Sequence, residues 1–420
     1  MKKLSKTLLA LALAGFTTHS ALAYTLYSSK TTVVSSNIYY YPTFYKWGEQ
    51  GYNAKGQQTN TYRLYHYARV NLSAQMLAGK YTAGFYIRAT YSSYKQHQHV
   101  KDIGEDDRGW KTAKFTARQY DSTVGTISNL YFSVSRSGWG NFQAGKISTF
   151  YDGVPRNSYN LSLLGFDTVF DNNLFYISDR AIRWSSPWYS NDTSYMLQYA
   201  TDHKYVGTNA FPTGVSDHMF GAVATYRFTF SDDEKATKNQ QIRVFYGRVY
   251  KSKAVADYYY RNNTSPASFD DNTTDKANHL EISHLYQGDN LAFVTSALYA
   301  YEPDRYTRPN RGYQVTLNAS YYITKYFIPE LGVSYSNSTK YSLASPGAAI
   351  GNSYGKKVTR QTSLITGFAS YLYSDKIFNV YFLFNYQLNN NRTKITYPGQ
   401  TFRDKNISQN VAARLYFGIR

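Results

Sequence analysis

Along most of the chain, apolar and polar residues alternate one for one. In "TYRLYHYARVNLSAQML", Leu64, His66, Ala68, Val70, Leu72, Ala74 and Met76 form one set. Arg63, Tyr65, Tyr67, Arg69, Asn71, Ser73 and Gln75 form the other, and His66 alone interrupts the apolar row. A period of two puts such sets on opposite faces of a β-strand. After "AGK" the pattern resumes in "YTAGFYIRATYS", with Phe85, Ile87 and Ala89 set against Tyr86, Arg88 and Thr90, which reads as a hairpin with a tight turn. The same alternation runs through 220–230, 313–323 and 378–389, whereas 291–301 and 361–372 alternate poorly and leave their facing open.

The connections alternate as well. Short ones read "LAGK" (77–80), "RSGWGN" (136–141), "QGDN" (287–290), "TKYF" (324–327) and "YSDK" (373–376). Eight long polar stretches lie near 47–61, 95–125, 150–175, 202–217, 253–277, 303–311, 339–360 and 390–406. Eight long loops imply about sixteen strands of about ten residues, with short turns at one rim and long loops at the other, as in an outer-membrane barrel. The predicted fold is an all-β transmembrane antiparallel β-barrel.

A soluble sandwich would alternate too, and two features favour the barrel. Tyrosines gather at predicted strand ends (Tyr39 to Tyr41, Tyr321 with Tyr322, Tyr371 with Tyr373), where a membrane interface favours them. Arg63, Arg69 and Arg88 share the polar parity of neighbouring strands. An arginine on the lipid face would cost roughly 2–4 kcal/mol at the bilayer midplane, so this parity points them into a lumen.

Composition narrows the setting. "MKKLSKTLLALALAGFTTHSALA" has a basic start, a short apolar run and an Ala-Leu-Ala end, so 1–23 read as a cleaved signal peptide and 24–420 as one barrel domain. Without Lys2, Lys3 and Lys6 the formal net charge falls from +19 to +16, and the chain has no cysteine. An exported, basic, disulfide-free chain fits a closed sheet with anionic partners, either lipopolysaccharide phosphates or anions in a pore, and not nucleic acid. The 46 tyrosines and 24 phenylalanines are spread among polar residues, and no apolar stretch after the leader reaches the ~20 residues of a membrane helix.

No chemistry-bearing motif emerges. "KQHQHV" and "DIGEDD" lack metal-ligand spacing and read as a solvated loop. There is no Gly-x-Ser-x-Gly elbow and no phosphate-binding glycine loop. The reading is a non-enzyme that needs no cofactor and no metal.

Short stretches add a resemblance. "GWGNFQAGK" (138–146) resembles the glycine-rich stretch before the constriction loop of general Gram-negative porins, and "RAIRWSSPWYSNDTSYMLQYA" (180–200) is similar to their Arg-Tyr-x-Ser-Pro stretch. "YTLYSSKTTVV" is similar to the start of Haemophilus and Pasteurella porins, and "VAARLYF" to their closing strand. This resemblance implies a homotrimer of sixteen-stranded barrels in the outer membrane, in contact with lipid, lipopolysaccharide and the barrel-assembly machinery. It also implies a water-filled pore for ions and small hydrophilic solutes, and a second long loop that latches onto a neighbouring subunit.

In that family the third long loop, here 151–179, folds into the lumen. The resemblance sets Asp152, Asp167 and Asp171 as the acidic side of a constriction against Arg63, Arg69 and Arg88, with "LSLLGFD" where relatives have an acidic tip and Asn129 where some have an arginine. A weak anion preference is expected from the charge balance. The alternative is a substrate-specific channel for sugars or nucleosides, motivated by the inward parity of Tyr65, Tyr67 and Tyr86. In the closing stretch Val411, Ala413, Leu415 and Phe417 form the lipid-facing row of the assembly strand and Arg414 faces the lumen. Three residues follow Phe417, so either the strand runs on or the recognised end is shifted.

Overall fold

A computed structural model describes residues 25–49, 57–105, 111–148, 177–189, 192–202, 217–227, 240–250, 276–288, 290–303, 308–324, 326–343, 354–374, 378–397 and 400–419. The first half forms β1 (Thr25–Ser28), β2 (Thr32–Glu49), β3 (Gln57–Ala78), β4 (Tyr81–Glu105), β5 (Lys111–Arg136), β6 (Gly140–Ser148), β7 (Ile177–Ser185), β8 (Thr193–Asp202) and β9 (Asp217–Arg227). The second half forms β10 (Gln240–Tyr250), β11 (Lys276–Gln287), β12 (Leu291–Glu302), β13 (Asn310–Tyr321), β14 (Ile328–Leu343), β15 (Tyr354–Ser374), β16 (Phe378–Tyr397) and β17 (Gln400–Ile419).

Each of β2 to β16 pairs antiparallel with the next strand, and β17 pairs back onto β2. Sixteen strands therefore close into an all-β barrel that leaves no sheet edge in hydrocarbon. β1 is additional. β17 covers β2 from Ile38 to Glu49, and β1 covers Val33 to Ser35 of the same strand, prolonging the seam toward the short-turn rim.

Two of the predicted tight turns, 77–80 and 136–141, lie wholly within the described residues and are where the sequence put them. The turn between Ala78 and Tyr81 carries Gly79 at φ 62, and the turn after Arg136 carries Gly138 at φ 81, conformations that cost glycine little. Arg136 lies over the rings of Trp139 at 4.4 Å and Tyr81 at 5.4 Å, a basic and aromatic cluster suited to a membrane interface.

Facing follows parity. On β13, Asn310, Gly312, Gln314, Thr316, Asn318 and Ser320 are buried inside while Tyr313, Val315 and Leu317 are exposed outside. The two ambiguous segments resolve the same way, with Val294, Ser296, Leu298 and Ala300 inward on β12 and Ser363, Ile365 and Ala369 inward on β15. His66 does face outward, and its Nδ1 is hydrogen-bonded to the Tyr40 hydroxyl at 2.9 Å. That bond satisfies a polar group which hydrocarbon could not solvate.

Several expectations are corrected. The sixteen barrel strands range from 9 residues in β6 to 26 in β5 rather than about ten. The stretch 95–125 is no irregular loop, because β4 and β5 stay paired out to Glu105 opposite Lys111. Nor is 390–406, where β16 and β17 stay paired to Tyr397 opposite Gln400. In both hairpins cross-strand pairing continues through residues whose outward set is polar, so apolar alternation underestimates the strand. Two hairpins that meet at the short-turn rim, β7 with β8 and β9 with β10, were not recognised from sequence. Of the tyrosines placed at interfaces, Tyr39, Tyr41 and Tyr371 face inward.

Candidate functional site

The lumen wall beside the closing seam carries the predicted basic residues. Arg63 donates from Nε to Gln96 Oε1 at 2.9 Å, and its guanidinium lies over Tyr94 at 4.5 Å and Trp47 at 5.1 Å. Arg88 donates from Nε to Asn71 Oδ1 at 3.0 Å and to the Tyr86 hydroxyl at 3.2 Å. Arg69 lies over Tyr39 at 4.4 Å, and its Nε is buried without a hydrogen-bond partner. Asn129 is directly opposite Arg88 on β5, so this neutral residue shares the wall.

A fourth arginine joins them across the seam. Arg414 on β17 donates from Nε to Thr43 Oγ1 at 2.8 Å and from Nη2 to the Tyr45 hydroxyl at 3.1 Å, with its guanidinium over Tyr41 at 4.4 Å. All partners of these four are neutral. Among the described residues none of the four is paired with a carboxylate, so the wall carries uncompensated positive charge.

Between the arginines lies a rung of tyrosines on five consecutive strands. Tyr371, Tyr381, Tyr416, Tyr41 and Tyr67 come from β15, β16, β17, β2 and β3. Successive centroid separations are 5.6, 4.2, 5.9 and 4.7 Å. The rung bridges a weak point. Pro42 on β2 has no N–H to donate, and β17–β2 pairing skips from Arg414–Thr43 to Phe417–Tyr40 around it. Tyr416 and Tyr41 stack across that gap. Gly418 makes room, since a Cβ there would come within 2.6 Å of the Tyr416 ring.

Tyr65, Tyr67 and Tyr86 face the lumen as predicted, yet their faces are already engaged. Tyr67 stacks on Tyr41 at 4.7 Å and lies 6.2 Å from Tyr65, and Tyr86 stacks on Tyr131 at 5.0 Å. The rung runs around the wall rather than along the pore axis, so it offers no succession of platforms for a sugar chain.

The opposite wall differs. Across β6 to β11 the inward cluster is apolar: Ile147, Ala181, Ala200, Met219, Phe245, Val249 and Ala277. Two inward carboxylates on this wall, Glu281 and Glu302, and a third on β14, Glu330, are each at most 3% exposed. Glu330 accepts from Asn385 Nδ2 at 3.0 Å across Gly367, whose missing side chain leaves the path clear. β11 stands eight places from β3 in the sixteen-strand ring, as β12 does from β4. Glu281 and Glu302 are thus on strands diametrically opposed to Arg69 and Arg88.

Asp152, Asp167 and Asp171 lie outside the described residues, as do 151–176 of the predicted third loop, while its last three residues, 177–179, begin β7. The tyrosine rung was missed because each member looks like an ordinary inward tyrosine until register aligns the five. The wall glutamates could have been found at Glu281, since "NHLEISH" alternates cleanly, but Glu302 lies at the end of a poorly alternating segment. On β17 the predicted parity holds. Val411, Leu415 and Phe417 are on the outward face, and Phe417 stacks with Tyr40 at 6.2 Å. The strand runs on through Gly418 and Ile419, which pair with Asn379 and Phe378 on one side and Tyr39 and Ile38 on the other.

No protein-family model matches the chain, and no curated protein matches its sequence. Solved structures do match its fold. OmpT of Vibrio cholerae, an outer membrane protein folded in vitro, superposes with a TM-score of 0.55 at 12% identity, over 93% of this chain and 98% of that one. Its trimer form gives a TM-score of 0.56 at 12% identity over 91% and 99%. The anion-selective porin from Comamonas acidovorans gives 0.53 at 12% identity over 92% and 98%. The chain therefore has the sixteen-stranded barrel fold of outer-membrane porins.

Proposed function

We propose that the protein is a passive porin of a Gram-negative outer membrane, admitting ions and small hydrophilic solutes with a modest preference for anions. One observation carries the preference: Arg63, Arg69, Arg88 and Arg414 line one wall without a described carboxylate partner. Glu281 and Glu302 sit buried on the strands opposed to Arg69 and Arg88. Charge fixed on one side of a low-dielectric channel raises the local concentration of the opposite ion and orients dipolar solutes.

The third loop, with Asp152, Asp167 and Asp171, narrows this pore on its acidic side. A homotrimer is the working assembly, consistent with the trimer form recorded for OmpT of Vibrio cholerae. Residues 1–23 direct export, and the closing strand with Val411, Leu415 and Phe417 is the segment that the assembly machinery reads. Transport needs no covalent step. A sugar- or nucleoside-specific channel is less well supported, because the lumen tyrosines stack on one another.

The test is the zero-current potential of the reconstituted protein in a tenfold KCl gradient across a planar bilayer. A potential of the sign set by chloride permeation is expected. A potential of the opposite sign overturns the preference, and the absence of any conductance overturns the porin reading.

A further inference from the structure

The outward face of β4 holds a pair of imidazoles to which the strand gives a fixed spacing. As a loop, "KQHQHV" has none. In the structure it is paired strand: His97 lies between Tyr62 of β3 and Gln119 of β5, and His99 between Asn60 and Ala117. Residues two apart on a strand share a face, so both imidazoles stand on one side with their Cα atoms about 7 Å apart. That side is the outer one, because Gln96 has the opposite parity and holds Arg63 on the lumen wall.

The pair lies beyond the hydrocarbon. Outward residues of β4 are apolar or aromatic through Phe85, Ile87, Ala89 and Tyr91, and then become Ser93, Lys95, His97 and His99. A charged side chain is costly on the lipid face within hydrocarbon, so Lys95 marks the end of the apolar band. Both histidines follow it at the end of β4 away from the short turn after Ala78, which is the extracellular end, and both are exposed.

Their nitrogens are available. The outward histidines His66 and His218 each have Nδ1 engaged by a tyrosine hydroxyl, at 2.9 and 2.6 Å. Neither His97 nor His99 is hydrogen-bonded to a described residue. The Tyr62 ring meets His99 edge-on at 5.9 Å and 88°, which restricts the imidazole without occupying a nitrogen. Three charged groups lie near: Lys95 opposite Asp121 of β5, and Lys46 of β2, whose ammonium is 5.6 Å from the Tyr62 ring. Two ammonium groups against one carboxylate do not attract a cation, so any ion held here is held by the nitrogen donors. Among the described residues no group of three His, Cys, Asp or Glu is placed to hold a metal ion, so the remaining coordination positions fall to water.

We propose that His97 and His99 form a two-imidazole chelate for a divalent transition-metal ion on the extracellular surface, with Cu²⁺ held more tightly than Zn²⁺. Imidazole suits both ions, and the order of intrinsic affinities puts Cu²⁺ first. Mg²⁺ and Ca²⁺ take oxygen ligands and are not retained. The site depends on the outward, exposed placement of β4 and not on conduction through the pore.

The test titrates the untagged, full-length barrel in detergent with Cu²⁺, Zn²⁺ and Mg²⁺ and compares the wild type with His97→Gln, His99→Gln and His218→Gln. Cu²⁺ affinity should fall by about tenfold or more in each of the first two variants and stay unchanged in His218→Gln. Electron paramagnetic resonance of bound Cu²⁺ should show coupling to two imidazole nitrogens in the wild type and to one in either variant. Unchanged affinity in His97→Gln or His99→Gln, an equal loss in His218→Gln, or a wild-type spectrum without nitrogen coupling overturns the proposal. So does displacement of Cu²⁺ by an equal concentration of Mg²⁺, which would mark attraction by charge alone. A second measurement needs no substitution: Cu²⁺ should slow modification of His97 and His99 by diethyl pyrocarbonate, and equal rates with and without the metal overturn the chelate.

Discussion

Among the described residues the barrel has a tall side and a low side. There, strands β14 to β17 and β2 to β5 hold 16 to 26 residues, whereas β6 to β13 hold 9 to 12. The tall side bears the closing seam, the lumen arginines and the tyrosine rung. The low side has an inward face of small and apolar residues with buried glutamates. A strand about ten residues long suffices to cross the bilayer, so the added length of the tall side lies beyond hydrocarbon. The difference teaches that crossing the membrane and performing work at its surfaces are carried by different parts of the same strands.

The rung is the sharpest place to break this contrast. Tyr416→Ala removes the stacks on Tyr381 and Tyr41 at the position where Pro42 interrupts the seam. A loss of about 3 kcal/mol is expected, read as a lower temperature for loss of the compact barrel band on unheated gels. Tyr301→Ala, an exposed outward residue at the top of β12 on the low side, should change stability by less than about 0.5 kcal/mol. Equal losses from the two substitutions would mean that the seam holds no special share of the stability.

A subtler probe adds volume instead of removing it. Gly418→Val places a branched side chain where the Tyr416 ring packs and should cost about 2 kcal/mol by overpacking, with the same thermal readout. Wild-type stability in that variant would show that Tyr416 can move without loosening the rung.

Charge reversal sharpens the comparison in the lumen. Arg69→Glu combined with Arg414→Glu should lower the chloride-to-potassium permeability ratio on the order of tenfold, measured as reversal potential. Glu281→Gln on the low wall should shift the ratio by less than about twofold, since that carboxylate is 1% exposed and already removed from the permeating ions. A larger shift from Glu281→Gln would place the working field on the low side.

Alternation of side chains by itself determined that this chain forms an antiparallel barrel. It also determined that Arg63, Arg69, Arg88 and Arg414 point inward, because a period of two fixes the face of a residue wherever one face must meet lipid. What it could not supply is which residues of different strands share a row. Register depends on pairing between segments hundreds of positions apart, as when Arg414 reaches Thr43 and Tyr45. Only the closed sheet therefore assembled the tyrosine rung and set Glu281 and Glu302 opposite arginines. Gly418 and Ile419, a remainder beyond the closing aromatic in the sequence, became two more paired positions of the seam for the same reason.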